Sequence, residues 1–267
     1  MTAPLTRYST LLYSLVGRRR TQSANRQLGG VLAAIAGAIN AGGFLAVQRY
    51  TSHMTGIVSS VADDLAIGSL ALALGGLASL ASFVSGAACT ALLINWARRR
   101  RLHSKYALAL MFEAALLLLF GLVGANLKSF AQLLVPSTVL LLCFIMGLQN
   151  AIITKISGAE IRTTHMTGIA TDIGIELGRL IYWNRNETAN SVHFVRANRD
   201  KLFIHFTILT LFFVGGVAGA LAFKAMGFAA TVPIACALAA LALPPILIDL
   251  HLRRFGRRSA RNDTRAT

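Results

Sequence analysis

The chain is expected to be an all-α integral membrane protein: about six transmembrane helices in two inverted three-helix repeats, with interrupted helices at two His-Met-Thr-Gly motifs. Three observations predict this: apolar stretches of membrane-spanning length, basic blocks confined to alternate connections, and a set of motifs that occurs twice in one order. Of the 267 residues, 55% are hydrophobic and 13% charged, against roughly 25% charged in an ordinary soluble domain. A soluble fold could not hide that much apolar surface.

A helix rises about 1.5 Å per residue, so about 20 apolar residues cross a hydrocarbon core of about 30 Å. Six stretches qualify, at 28–47, 70–96, 106–125, 131–153, 203–225 and 228–250. The first is longer than a secretory apolar region of about 7–15 residues and has no small-residue cleavage site behind it, so it is expected to remain as the first helix.

The net charge of +16 would suggest nucleic acid in a soluble protein. Here the basic residues form short blocks between apolar spans: Arg18, Arg19 and Arg20; Arg98, Arg99, Arg100 and Arg101 with Lys105; Arg253, Arg254, Arg257 and Arg258. Such blocks stop at cytoplasmic headgroups, so the expected partner is the lipid bilayer and not nucleic acid. The N-terminal arm, the 97–105 loop, the 155–201 segment and the C-terminal tail hold nearly all of them, which places both termini in the cytoplasm. The expected organisation is a mobile basic arm (1–27), a first repeat (28–127), a second repeat (128–252) with a partly helical cytoplasmic excursion (182–200), and a basic tail (253–267). Asn186-Glu187-Thr188 matches a glycosylation acceptor, but its cytoplasmic placement argues against use. Cys89, Cys143 and Cys236 lie singly in apolar runs and read as packing residues, with no disulfide or metal framework and no cofactor implied.

The duplication rests on three blocks. Gly37-Ala-Ile-Asn40-Ala41 matches Gly147-Leu-Gln149-Asn150-Ala151; Thr51-Ser52-His53-Met54-Thr55-Gly56-Ile57 matches Thr163-Thr164-His165-Met166-Thr167-Gly168-Ile169; Phe83-Val84-Ser85-Gly86 matches Phe213-Val214-Gly215-Gly216. With three spans per half, the second copy enters the membrane from the opposite side, an architecture common among secondary transporters with a midplane site.

Candidate site residues follow from the repeat. In each motif a Thr and a Gly precede a helical stretch. Thr can cap such a helix, glycine permits close backbone approach, and the free amides favour an anion. A simple turn after the first span is the equal alternative. The expected substrate-binding set is therefore Asn40, His53, Thr55, Gly56, Gln149, Asn150, His165, Thr167 and Gly168. Asp64 and Glu176 stand eleven residues past the two histidines, about 20° from the same helix face. Imidazole and carboxylate in a low-dielectric cleft can relay protons, or can simply pin the interrupted helix. One His and one acid per half is thin for zinc. Asp172 sits four residues before Glu176. Glu113 lies inside the third span, where an ionised carboxylate costs several kcal/mol and by default marks proton or cation coupling. Packing of a protonated Glu113 against a carbonyl is the other reading. Asn40, Gln149 and Asn150 suit interhelical hydrogen bonds first and substrate contact second, while Gly86, Gly215, Gly216 and Gly219 suit close packing of spans two and five.

Across 28–250, and most specifically through Gly147-Leu-Gln-Asn150-Ala151, Arg162-Thr-Thr-His165-Met-Thr-Gly168, Thr171-Asp172, Gly43-Phe44-Leu45 and Ser52-His53-Met54-Thr55-Gly56, the sequence resembles the YoaK-type family of bacterial inner-membrane proteins, a domain of unknown function. The resemblance implies a bacterial cytoplasmic membrane location and brings no substrate. Many relatives carry an acid where Asn40 stands, and Asn-Thr where Ile57-Val58 stands.

The leading expectation is a secondary transporter or exporter of a small solute, an anion being favoured, with Asp64, Glu113, Asp172 and Glu176 as ion-coupling candidates. A membrane scaffold or sensor engaging a cytoplasmic partner through 182–200 is the alternative from another class. An enzyme is not expected: no nucleophile accompanies the His and carboxylate pairs, and there is no phosphate-binding or dinucleotide fingerprint. A homo-oligomer is compatible with the chain, which fixes no stoichiometry.

Overall fold

The computed structural model describes residues 22–47, 50–102, 104–126, 131–157, 165–184, 191 and 194–263. Among them every regular element is a helix: α1 Gln22–Val47, α2 Met54–Ala66, α3 Leu70–Arg99, α4 Ala107–Ala125, α5 Ala131–Ser157, α6 Met166–Ile181, α7 Arg199–Met226, a 3-10 turn Gly227–Ala230, and α8 Thr231–Asp263. Five stretches are long and apolar enough to cross a bilayer, namely Arg26–Leu45, Leu70–Arg99, Ala107–Ala125, Val135–Ile156 and Arg199–His251. The chain is a multi-pass membrane protein. The last stretch, 53 residues, would be about 80 Å long as one straight helix. It is instead α7 and α8, separated by the 3-10 turn where Gly227 holds φ at 59°, a conformation that a Cβ disfavours.

Two elements are too short to cross. α2 has 13 residues and α6 has 16, about 20 and 24 Å against a core of about 30 Å. Both begin at a His-Met-Thr-Gly motif.

Several expected boundaries move. α1 starts at Gln22, so the N-terminal arm is shorter than 1–27. α8 continues to Asp263, so most of 253–267 is helix rather than tail. Within 182–200, the segments 182–184 and 194–198 are not helical. Side-chain bonds explain this: Asn184 accepts from the Val195 amide and donates to the Val195 carbonyl, both at 3.0 Å, closing a loop. Asn198 then caps α7 by accepting from the Lys201 amide at 3.0 Å, which fixes the helix start. The acceptor motif at 186–188 lies outside the described residues.

The main pairings are α1 with α7, α3 with α5, and α4 with α8; α2 lies on α3, and α6 on α7. Small residues set the first two seams. Gly37 on α1 faces the Phe212 carbonyl, and Gly147 on α5 faces the Phe83 carbonyl. Gly86 on α3 faces the Phe144 carbonyl, and Gly215 on α7 faces the Ala34 carbonyl. A Cβ at any of the four would overlap backbone, so glycine lets the helix axes approach where lipid supplies no hydrophobic drive. The glycines of spans two and five thus pack against spans four and one, not against each other. These contacts also correct the third sequence match by one residue. The counterparts of Phe83 and Gly86 in the packing are Phe212 and Gly215, because the doubled Phe212-Phe213 and Gly215-Gly216 satisfy the pattern in either register. A Cβ on Gly216 would meet only ordinary contacts, the nearest at 3.6 Å.

The α3–α5 seam carries two further bonds, from the Ser82 hydroxyl to the Leu140 carbonyl at 2.7 Å and from the Thr90 hydroxyl to the Leu148 carbonyl at 3.0 Å. Each is worth about 0.6 kcal/mol on average in a membrane. The α1–α7 seam adds instead Gly219 against Ala38 and Gly42 against the Phe223 ring. Leu28, Leu32, Leu110, Phe120, Leu142, Ile145 and Leu148 fill the centre, whereas Leu92, Phe206, Phe213 and Leu221 face outward, as lipid contact requires.

Candidate functional site

The site begins with the way the chain leaves α1. Beyond Val47 it doubles back: Tyr50 stacks on Phe44 with ring centroids 4.4 Å apart, and the Ser52 hydroxyl donates to Asn40 Oδ1 at 2.7 Å. Asn40 lies seven residues before the end of α1, so α2 starts about 10 Å back along the α1 axis.

At the start of α2, His53 occupies the N-cap with φ −90° and ψ 69°; at the start of α6, His165 does so with φ −85° and ψ 52°. Neither histidine side chain caps its helix. The expectation that threonine caps them is therefore incorrect at Thr55 and Thr167, which lie inside the first turn; Thr163 and Thr164 lie outside the described residues. The first intrahelical bonds run from the Ile57 amide to the His53 carbonyl at 3.1 Å and from the Ile169 amide to the His165 carbonyl at 3.0 Å. The amides ahead of them carry the positive end of the helix dipole.

The motif glycines have a specific use here. A Cβ on Gly56 would overlap Cδ2 of His53, and a Cβ on Gly168 would overlap Cδ2 and Nε2 of His165. Each imidazole thus lies over the first turn of its own helix, in space that only glycine leaves open. The three-residue spacing is the distance at which two positions on one helix become neighbours.

A cavity of about 450 Å³ joins the two helix starts. Ser52, His53, Met54 and Thr55 line it from one, and His165, Met166 and Thr167 from the other. α5 contributes Gly147, Asn150, Ala151, Thr154 and Lys155, and α3 contributes Phe83 and Ala87. Of the residues expected to bind substrate, His53, Thr55, Asn150, His165 and Thr167 are brought together here. Asn40 lies behind Ser52, and Gly56 and Gly168 lie beneath the imidazoles. Gln149 is fully buried away from the lining; among the described residues its amide has no hydrogen-bond partner, and nor does Asn150 Oδ1. Lys155, Phe83 and Ala87 were not anticipated. Phe83 stood in a repeat block and Ala87 lies one helical turn further on, whereas Lys155 counted only among the basic residues of the 155–201 segment.

The expected pairing of each histidine with the acid eleven residues on does not form. Eleven residues raise a helix by about 16 Å, so a shared face does not mean a shared height. Glu176 is buried and accepts from Arg179 Nη1 at 3.0 Å and from the Asn198 amide at 2.7 Å. It holds the chain entering α7. Asp172 lies 3.3 Å from Lys201 Nζ and 3.8 Å from His205 Nε2, tying α6 to α7. Asp64 sits near the far end of α2 and is absent from the cavity lining. Glu113 is fully buried on α4, and neither of its oxygens has a hydrogen-bond partner among the described residues. Among those residues no cluster of three or more His, Cys, Asp or Glu could hold a metal.

Residues 28–243 match a family described as "Protein of unknown function (DUF1275)". It is the family that the YoaK-type resemblance indicated. No curated protein and no solved structure matches the chain.

Proposed function

We propose, for a chain that belongs to the DUF1275 family and takes no assigned activity from it, that the protein is a secondary transporter or exporter of a small solute. In this reading six helices cross the bacterial cytoplasmic membrane in two inverted halves, with both termini in the cytoplasm. One observation carries it: two histidine-led helix starts from different halves of the sequence line a single cavity of about 450 Å³. That volume lies within the range of small-molecule sites, about 300–1,000 Å³. The reciprocal glycine seams support the inverted arrangement, as does the division of the 53-residue apolar stretch into two helices at Gly227. Half-helices whose N-termini meet near the bilayer centre are a recurrent way for inverted-repeat carriers to build a binding site.

Two experiments test this. Cysteines at Ile67 and Tyr182, which follow the far ends of the two half-helices, should react with an impermeant thiol reagent from opposite sides of the membrane. Labelling of both from one side removes the inversion. Purified protein in proteoliposomes should move solute across the bilayer, and His53→Gln with His165→Gln should reduce that flux at least tenfold; undiminished flux removes the histidines from the mechanism.

A second reading is supported by a separate feature. The 182–200 excursion borders a groove of about 860 Å³ lined by Arg179, Tyr182, Arg196 and Arg199 among others, with Trp183 82% exposed beside it. A scaffold or sensor would use this face. A stoichiometric soluble partner that is lost when the excursion is deleted, together with absent flux, would favour it.

A further inference from the structure

The central cavity has a one-sided chemistry. Among the described residues its lining contains three nitrogen bases, His53, His165 and Lys155, and no carboxylate. Among the described acids, Glu176 is engaged with Arg179 and the Asn198 amide, Asp172 with Lys201 and His205, and Asp249 with the Ser104 amide, while Asp64 and Glu113 lie outside the lining. The Lys155 ammonium has no ion-pair partner among the described residues. Added to this are two helix starts that their N-cap histidine side chains leave uncapped, each carrying about half a positive charge at the cavity. The rest of the lining is partly apolar, with Phe83, Ala87, Ala151, Met54 and Met166. A cavity that combines cationic groups with aromatic and thioether lining fits a head and a body, not a bare ion.

Resting on the carrier reading for the location of the site, we infer that its occupant is a small organic monoanion, a carboxylate or similar oxyanion head on an apolar body. Lys155 is the residue that selects its charge. The ammonium attracts the head from the end of α5, the uncapped amides and imidazoles donate hydrogen bonds to its oxygens, and Phe83 packs against the body. Inorganic anions lack the body, and organic cations meet charge of the same sign.

The test uses the whole protein in phosphatidylcholine nanodiscs, which present no anionic lipid, with four probes followed by calorimetry: benzoate, benzamide, benzylammonium and sulfate. Benzoate should bind at least tenfold more tightly than each of the others. Lys155→Gln should weaken benzoate at least tenfold and change benzamide by less than twofold, and Lys155→Arg should restore most of the loss. Lys155 is exposed, and unchanged benzamide binding reports an intact cavity. Benzylammonium binding as tightly as benzoate, sulfate matching benzoate, or benzoate indifferent to Lys155→Gln would each overturn the inference while leaving carriage of another solute open. Benzoate binding with the expected Lys155 dependence but no benzoate flux in proteoliposomes supports the anion site and sinks the carrier. Failure of all four probes to bind overturns the inference outright.

Discussion

Adding the same methyl group at two motif glycines should have opposite consequences. In Gly168→Ala the new Cβ overlaps Cδ2 and Nε2 of His165, the far end of a side chain that can rotate away. An imperfect rotamer costs on the order of 1 kcal/mol, and alanine gains about 1 kcal/mol over glycine in a helix. The net change in stability is close to zero, but the imidazole leaves the helix start. In Gly147→Ala the Cβ overlaps the carbonyl oxygen, carbonyl carbon and Cα of Phe83, which cannot turn aside without moving α3. Overpacking of this kind costs about 1–3 kcal/mol. Parting the helices also strains the Ser82–Leu140 and Thr90–Leu148 bonds, at about 0.6 kcal/mol each. After the helix-propensity gain, a net loss of about 1–3 kcal/mol remains. At about 2–4 °C per kcal/mol for a chain of this size, the midpoint of thermal unfolding should fall by about 2–12 °C. The assay is the monodisperse fraction after heating in detergent, read by size exclusion, with ligand binding measured in parallel. Gly168→Ala should lose binding without losing stability, and Gly147→Ala should lose stability first. Equal midpoints for the two variants would refute the reasoning, since it depends wholly on whether the obstructing atom belongs to a rotatable side chain or to a packed backbone.

Other substitutions probe the acids that the site does not use. Glu176→Ala removes the carboxylate that accepts from Arg179 and from the Asn198 amide at the start of α7 and should cost about 1–3 kcal/mol; Glu176→Gln keeps one acceptor and should cost less than half as much, and equal losses would mean that charge rather than hydrogen bonding matters. Asp172→Asn removes an ion pair whose partners are 38% and 43% exposed, so the loss should stay below about 1 kcal/mol and vanish in high salt; a large salt-insensitive loss would contradict the exposed geometry. Glu113→Leu should raise thermal stability by about 1–3 kcal/mol, because a buried polar group without a hydrogen bond costs about that much. A fall would reveal a partner outside the described residues. A gain accompanied by loss of uptake driven by a pH gradient would mark Glu113 as a residue kept for coupling at the expense of stability.

Much of this architecture could be read from the residues. Helix positions followed from apolar length alone, because lipid leaves the backbone no partner but itself, and only the ends moved by up to a few turns. The convergence of His53 and His165 was legible in the duplicated motif. What was lost is equally specific. Angular arithmetic put Asp64 and Glu176 on the histidine faces but took no account of rise along the axis, and the Asn198 amide that claims Glu176 belongs to a distant segment. Lys155 was hidden by its commonest role, since a lysine closing an apolar span reads as an anchor wherever it points. The seam register was ambiguous because Phe212-Phe213 and Gly215-Gly216 repeat the residue that carries the signal, and only the carbonyl opposite each glycine decides between them.

The exchange of partners between the two halves has a bearing on biosynthesis. α1 does not rest mainly on α3, the next long apolar helix; its principal seam is with α7, which is complete only at Met226. At about 5–20 residues per second, the ribosome needs roughly 10–40 seconds after finishing α1 to deliver that companion. Throughout this interval the glycine-lined flank of the first helix stays uncovered in the insertion machinery or the lipid, so a truncated product ending near residue 126 should be a substrate for quality-control proteolysis rather than a stable half-protein.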